Sequence, residues 1–489
     1  MTLDSNPIIA GRLLKLSALR ASGVDPYPPR TPVRLPIAEV RGMNPEQGDA
    51  VQTSGRIRAR REHGKTIFMD ISDPSGKVQL YFNSRELPPE TWEILEHTDL
   101  GDIIWVAGVL FVTRMGELTV KVTEMKVLVK AVRPLPVVKV DSEGEVHDAV
   151  SDPDLLYRHR CVDLLLNADS RERLVSRSRM IKALRDYLDG SGFIEVETPI
   201  LQQLYGGANA EPFITKYNFL DQQCYLRIAT ELYLKRLMVG GFHKVYEIGK
   251  DFRNEGVDRT HSPEFTQLEL YEAWTDYEGM MLRFEELVSA AAAALGKGSE
   301  ITFQGLSIDL ATPFARVPFV DALHRHSGEA LFDMDHAALA RHAGRLGIAT
   351  GGADRPDLLD KLFDHYVTPT LVQPTFVIDY PVELSPLAKG KPDNPMLTER
   401  FEAFIAGIEL ANAFSEQNDP LLQRRILEEQ AASSGHREGG VDEEFLYALE
   451  VGMPPAGGLG VGVDRLAMIL TDAGSIRDTI LFPHLRREK

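Results

Sequence analysis

The chain has 489 residues, 43% of them hydrophobic and 26% charged, too long for one compact core and typical of a soluble globular protein with two or three domains. Its longest apolar runs, 103–112 (IIWVAGVLFV) and 287–295, fall short of the roughly 20 residues of a membrane helix, and MTLDSNP lacks a signal peptide's basic start and apolar core. No membrane partner is expected, the default address is cytoplasmic, and a net charge of −18 means that any nucleic-acid partner needs a local basic patch.

The first expected element is a helix over 8–20 (IIAGRLLKLSALR), closed by the turn-rich GVDPYPPRTP. Residues 1–47 are therefore taken as a helix and extension. From about 48 to 135 the pattern changes to five strands separated by turn signals, which fits an all-β barrel of the OB type. Within it, Ile67, Met69 and Ile71 alternate with Phe68, and Val78, Leu80 and Phe82 alternate with Gln79 and Tyr81. The aliphatic set points inward; Phe68 points out. The run VQTSGRIRARREHGK holds Arg56, Arg58, Arg60, Arg61 and Lys65 against Glu62. It reads as a solvated face or, with the outward aromatic, as a base-stacking platform.

A Pro-rich and then acidic segment marks a linker at 136–154, and a second domain is expected over 155–489. It opens with a helical stripe, Leu174, Ile181, Leu184 and Leu188, followed by a strand FIEVETP. Mostly antiparallel strands are expected to dominate 225–272 and 372–420, with a helical insertion around 317–368 between them. The class is α+β. Cys161 and Cys224 form no CxxC pair and read as buried thiols.

Chemistry concentrates at DFRNEG (251–256) and HSPEFTQLELY (261–271). On an extended strand Phe265, Gln267, Glu269 and Tyr271 share one face, with Arg253 and Glu255 across the connecting loop. A ring for stacking, a guanidinium for phosphate or carboxylate and a carboxylate for an amine suit ATP bound beside an α-amino acid; a salt-bridged surface hairpin is the plainer alternative. There is no P-loop, and GGLGVG (457–462) fails the GxGxxG spacing.

These segments resemble the class II aminoacyl-tRNA synthetases, specifically the bacterial lysyl type. The motifs stand in order: GFIEVETP (192–199), FRNEG with HSPEF (252–265) and GLGVGVDRL (458–466). Between them lie GGANAEPF (206–213), ELYLKRLMVGGF (231–242), SPLAK (385–389) and ELANAFSEQNDP (409–420). The resemblance implies a catalytic domain built on a mostly antiparallel sheet flanked by helices, a homodimer, tRNA, ATP and L-lysine as partners, and Mg²⁺ as cofactor.

By the same resemblance Arg253 and Arg465 grip ATP and act in catalysis, Glu255 and His261 contact adenine and the phosphate tail, and Phe265 stacks on adenine. Glu402 and Glu409 hold the metal. Glu231, Glu416 and Tyr271 form the lysine side-chain pocket, Gly207 and Glu269 the α-ammonium site, and Asn412 lies beside the substrate carboxylate. A buried ammonium needs acceptors, so carboxylates and a phenol oxygen suit lysine where aspartate would need the opposite sign. Arg60, Phe68, Gln79 and Glu117 are the implied anticodon readers.

One parity conflicts with this set. Asn412 and Glu416 share a strand face and Glu409 falls on the other, so a twist or bulge is required. Glu211, Lys216-Tyr217, Thr230 and Gln417 also depart from the family's usual residues. A ligase with a non-tRNA acceptor and a silent RNA-binding protein remain alternatives.

Overall fold

The computed structural model describes residues 6–135, 139–140, 146–147, 153–434 and 441–486. Contacts divide the chain into two units, Met1–Ser151 and Asp152–Lys489. Most of the expected linker lies outside the described residues.

The first unit opens with the helix Pro7–Ala21, begun by Asn6, whose side chain accepts from the N–H groups of Ile8 and Ile9. Strands Ala50–His63, Thr66–Asp73, Gly76–Asn83, Ile103–Val112 and Leu118–Val129 then close a barrel in which the third and fifth pair in parallel. The expected alternation holds. Ile67, Met69, Ile71, Val78, Leu80 and Phe82 fill the barrel, each at most 3% exposed.

The first strand departs from simple alternation. Ile57 pairs with Ile71 but Ala59 pairs with Asp70, so Arg58 is an extra residue and every later side chain changes face. Arg61, opposite Phe68, consequently stands on the outer surface. Arg60, opposite Met69, turns the other way, and its guanidinium donates to the carbonyls of Leu95 and Thr98 at 3.0 Å each, beside the C-terminal end of the helix Pro89–Glu96.

The second unit is built on an eight-stranded sheet, in the order Ala315–Pro318, Thr375–Ile378, Arg400–Ile405, Ile408–Ser415, Ala456–Gly462, Glu264–Ala273, Lys244–Phe252 and Ile194–Glu195. Only the two outermost pairings are parallel. Against it, Leu184 and Leu188 of the helix Ala168–Gly190, Phe284 and Leu287 of Tyr277–Ala294 and Leu466 of Val463–Leu470 join one core. The expected strand FIEVETP pairs only over Ile194–Glu195. The insertion holds helices Phe319–Ser327, His336–Arg345 and Arg355–Tyr366 around their own core, where Phe319 stacks on Phe363 at 4.4 Å.

Two expectations change. Residues Glu231–Val239, placed in a strand-dominated region, form a helix. Cys161 is exposed; only Cys224 is buried. Among the described residues no helix is long and apolar enough to cross a membrane.

Candidate active site

The hairpin Lys244–Phe252 and Glu264–Ala273 pairs Asp251 with Phe265 and Glu247 with Glu269, and its 253–263 connection arches over a cleft of about 1070 Å³. Arg253, Glu255, His261, Phe265, Gly207, Glu231, Glu269, Asn412, Glu402, Glu409 and Arg465 all line that cleft. Tyr271 and Glu416 lie behind its wall at 2% and 1% exposure.

The end of the cleft near Glu269 is acidic and dry. Tyr271 donates its hydroxyl to Glu269 Oε2 at 3.2 Å. Burial raises Glu269 to about 8, with Glu231 and Asp251 adding to the rise. Among the described residues neither Glu416 oxygen has a well-aligned hydrogen-bond partner, although Glu416 Oε2, like Glu231 Oε1, lies 2.5 Å from the ammonium of Lys235. Lys235 was not among the expected site residues. The i, i+4 spacing of Glu231 and Lys235 on a helix could have found it.

The glycines of Ala456–Gly462 explain how these groups fit. Gly458 sits opposite Tyr271 and Gly460 opposite Glu269. A Cβ on Gly458 would stand 2.1 Å from Glu416 Oε1 and 2.5 Å from Tyr271 Cε1, and one on Gly460 2.8 Å from Glu269 Oε1. The run that fails as a dinucleotide turn is the side-chain-free floor of the acidic pocket.

At the other end the parity conflict is resolved by a bulge. Glu402 pairs with Asn412 and Ala403 with Ala411, but Phe404 pairs with Glu409, leaving Leu410 as the extra residue. Glu409 thereby joins the face of Glu402 and Asn412. Arg465 donates to the Glu409 carbonyl at 2.8 Å and reaches its Oε2 at 3.2 Å. Glu402 is held by Tyr380 at 2.8 Å and Arg400 at 2.6 Å, and burial pushes its proton affinity up, with Glu409 opposing the relief from Arg400.

Two converging hard oxygen donors that repel each other suit a divalent cation that also holds phosphate oxygens. Among the described residues no third His, Cys, Asp or Glu completes a cluster with them.

Between these ends lie the cations. Arg253 stands 5.1 Å over the Phe265 ring. Arg465 donates to His261 Nε2 at 2.9 Å; a guanidinium cannot accept, so the imidazole proton resides on Nδ1 and is donated to Asp258 Oδ2 at 2.8 Å. Two residues outside the expected set fix this geometry. Asp464 accepts from Arg177 at 2.7 Å and from the Thr266 N–H at 2.7 Å, tying the helix that carries Arg465 to the strand that carries Phe265.

Comparison with known proteins decides the family. Residues 152–486 match the model for tRNA synthetases class II (D, K and N), and residues 51–128 match that for the OB-fold nucleic acid binding domain. The chain belongs to the class II tRNA synthetases. It is 46% identical to a lysine–tRNA ligase of Moorella thermoacetica over 98% of both chains, and 47% identical to one of Carboxydothermus hydrogenoformans over 99% of both. A lysine–tRNA ligase of Chloroflexus aurantiacus is 46% identical, again over 99% of each chain.

The departures from the synthetase pattern fall mostly outside the cleft wall. Glu211 is exposed, and its carbonyl accepts the Asn254 N–H at 2.7 Å. Lys216 is exposed and pairs with Asp221. Thr230 precedes the helix Glu231–Val239 with its hydroxyl unpartnered, and Gln417 is buried, accepting from the Asp419 N–H at 3.0 Å.

On the synthetase's barrel, Phe68 lies 5.1 Å from Tyr81, which lies 5.9 Å from Phe111, an aromatic stripe longer than the expected single ring. Gln79 accepts from Thr119 at 2.9 Å beside it, and Glu117 stands at the adjacent turn. Arg61, paired with Asp70 at 3.0 Å, occupies this face where Arg60 was expected.

Proposed function

We infer that this chain is a lysine–tRNA ligase: it activates L-lysine with ATP to lysyl-adenylate and pyrophosphate, then transfers lysine to the 3′-terminal ribose of tRNA. The observation that carries the amino-acid assignment is the buried Glu416 oxygen without a partner, beside Glu231, Glu269 and the Tyr271 hydroxyl. An unpaired acceptor in such a place costs free energy that a ligand ammonium recovers. An aspartate or asparagine side chain brings no positive charge to it.

In the first step the lysine carboxylate attacks the α-phosphorus of ATP in line, forming the acyl–phosphate bond as the bond to pyrophosphate breaks. Glu231 and Glu416 hold the ε-ammonium, Glu269 with Gly207 the α-ammonium, and Asn412 lies beside the carboxylate. Phe265 stacks on adenine, with Glu255 and His261 along its edge and the phosphate tail. Arg253 and Arg465 neutralise charge on the phosphates, so positioning and electrostatics supply the catalysis. Glu402 and Glu409 would hold Mg²⁺, which when bound would supply charge neutralisation for the phosphates. In the second step the tRNA 3′-hydroxyl attacks the mixed anhydride and AMP departs, with no protein nucleophile in either step.

Phe68, Tyr81 and Phe111 offer stacking faces for unpaired anticodon bases, with Gln79, Arg61 and Glu117 for their edges. Homodimer formation is supported by the apolar exposure around the first motif, where Ile200, Leu201, Ile214, Phe219 and Leu220 face solvent. The deciding experiment is ATP–pyrophosphate exchange across a panel of amino acids. Exchange is expected with lysine; exchange driven by aspartate or asparagine, or by no amino acid in the panel, refutes the assignment.

A further inference from the structure

Lys235 carries more than a core ion pair. Its side chain is 1% exposed, its ammonium is 2.5 Å from one oxygen of Glu231 and 2.5 Å from one of Glu416, and it lies 5.1 Å over the Phe414 ring. Glu231 comes from the helix Glu231–Val239, whereas Glu416 follows the strand Ile408–Ser415. These two elements meet at that one nitrogen. Two carboxylates this close in a dry site would otherwise share a proton, and a protonated carboxyl is a poor partner for an ammonium.

The charge balance gives the arrangement its meaning. Three buried carboxylates, Glu231, Glu269 and Glu416, face a single internal ammonium, Lys235. Only Glu231 and Glu416 contact Lys235, so when both are ionised one negative charge of the pair is left for a substrate ε-ammonium to cancel. Lys235 contacts one oxygen of each carboxylate, and Glu416 Oε1, buried behind the cleft wall, has no hydrogen-bond partner among the described residues.

We propose that Lys235 is a positioning residue for the amine pocket: its ammonium clamps Glu231 and Glu416 so that their remaining oxygens meet the substrate's ε-ammonium, fixing affinity for a diamino acid without touching it. The proposal rests on the reading of the chain as lysine-activating. A wild-type protein inert with lysine would refute that reading, and the variants below then bear only on the clamp's stability.

The test is ATP–pyrophosphate exchange by the full chain. Lys235→Met should raise the KM for lysine by about 30-fold or more while the KM for ATP stays within about threefold, because only the amine end is disturbed. In Lys235→Ala, added propylammonium should recover at least about fivefold of the lost lysine affinity by refilling the gap. A lysine KM that is unchanged, or lower because Lys235 competes with the substrate, overturns the proposal, as does failure of rescue in a folded Lys235→Ala protein.

Should the single variants unfold, the pair Glu416→Gln and Lys235→Met/Glu416→Gln reads the same coupling, because the double variant removes opposite charges together. If Lys235 acts through Glu416, the two proteins should share a lysine KM within about threefold. A further loss in the double variant of about tenfold or more refutes the clamp.

Discussion

Glu416→Gln is the most direct perturbation of the amine pocket. The substitution keeps the volume at a position 1% exposed, so the Gly458 floor is not crowded and the core is not opened. It removes one of the two charges that face Lys235, but Glu231 at 2.5 Å keeps that ammonium paired, and the fold should survive. What is lost is the charged partner of the substrate's ε-ammonium. Leaving a buried charge short of its counter-charge costs on the order of 2–5 kcal/mol, equivalent to a rise in the KM for lysine of about 30-fold to several thousand-fold. The lower end is expected, because Glu231 and Tyr271 remain. As the reacting carboxylate lies at the other end of the amino acid, kcat at saturating lysine should hardly change. Pyrophosphate exchange at varied lysine and fixed ATP reads both constants. An unchanged KM for lysine would remove Glu416 from the pocket, and an equal fall in kcat would place it at the reacting centre instead.

Four further outcomes follow from the structure. Glu269, raised to about 8, is largely protonated in the free enzyme at pH 6.5 and must be ionised to meet an ammonium, so the KM for lysine should fall as pH rises toward 8 and then level. The limiting slope is about tenfold per pH unit for each such group; because burial raises Glu416 to about 8 as well, the slope should lessen in Glu269→Gln, and a profile unchanged in Glu269→Gln/Glu416→Gln would refute the assignment. Gly458→Ala would put a Cβ 2.1 Å from Glu416 Oε1; overpacking costs about 1–3 kcal/mol, and lysine affinity should drop while the KM for ATP is kept. Phe68→Ala should raise the KM for tRNA in aminoacylation by about 5- to 150-fold, the worth of one stacked base at ~1–3 kcal/mol, and leave pyrophosphate exchange intact. Arg60→Ala, by contrast, should lower the barrel's thermal stability by about 1 kcal/mol through its lost carbonyl contacts, and a tRNA effect equal to that of Phe68→Ala would contradict its placement.

Much of this site was legible because strand periodicity is rigid. Phe265, Gln267 and Glu269 line one cleft as the two-residue period requires, and the barrel's inward set was read without error. The helix Glu231–Val239 was missed although its Leu, Lys, Arg and Met content favours helix, because the strands around it set the expectation. With it went Lys235, whose role depends on Glu416, far away in sequence. Asp464 and Arg177 were out of reach for the same reason: a hydrogen bond between distant segments leaves no local pattern.

The displaced Arg60 and the bulge that the parity of Glu409 required have one cause. Alternation carries side-chain direction along a strand only while the pairing stays in step, and a single extra residue reverses it for everything beyond. At Arg58 that reversal moves Arg60 off the aromatic surface and brings Arg61 onto it. At Leu410 it brings Glu409 onto the face of Glu402 and Asn412, and leaves its carbonyl to be satisfied by Arg465. The second bulge thus brings onto one face groups that a regular strand would separate: the carboxylate pair proposed for a cation, the arginine proposed for ATP and the asparagine proposed to lie beside the amino acid. Regular alternation would bury Glu409 against the helices of the sheet's other face, among apolar side chains that offer it no partner. The irregularity is the arrangement in which the charges of this cleft can meet.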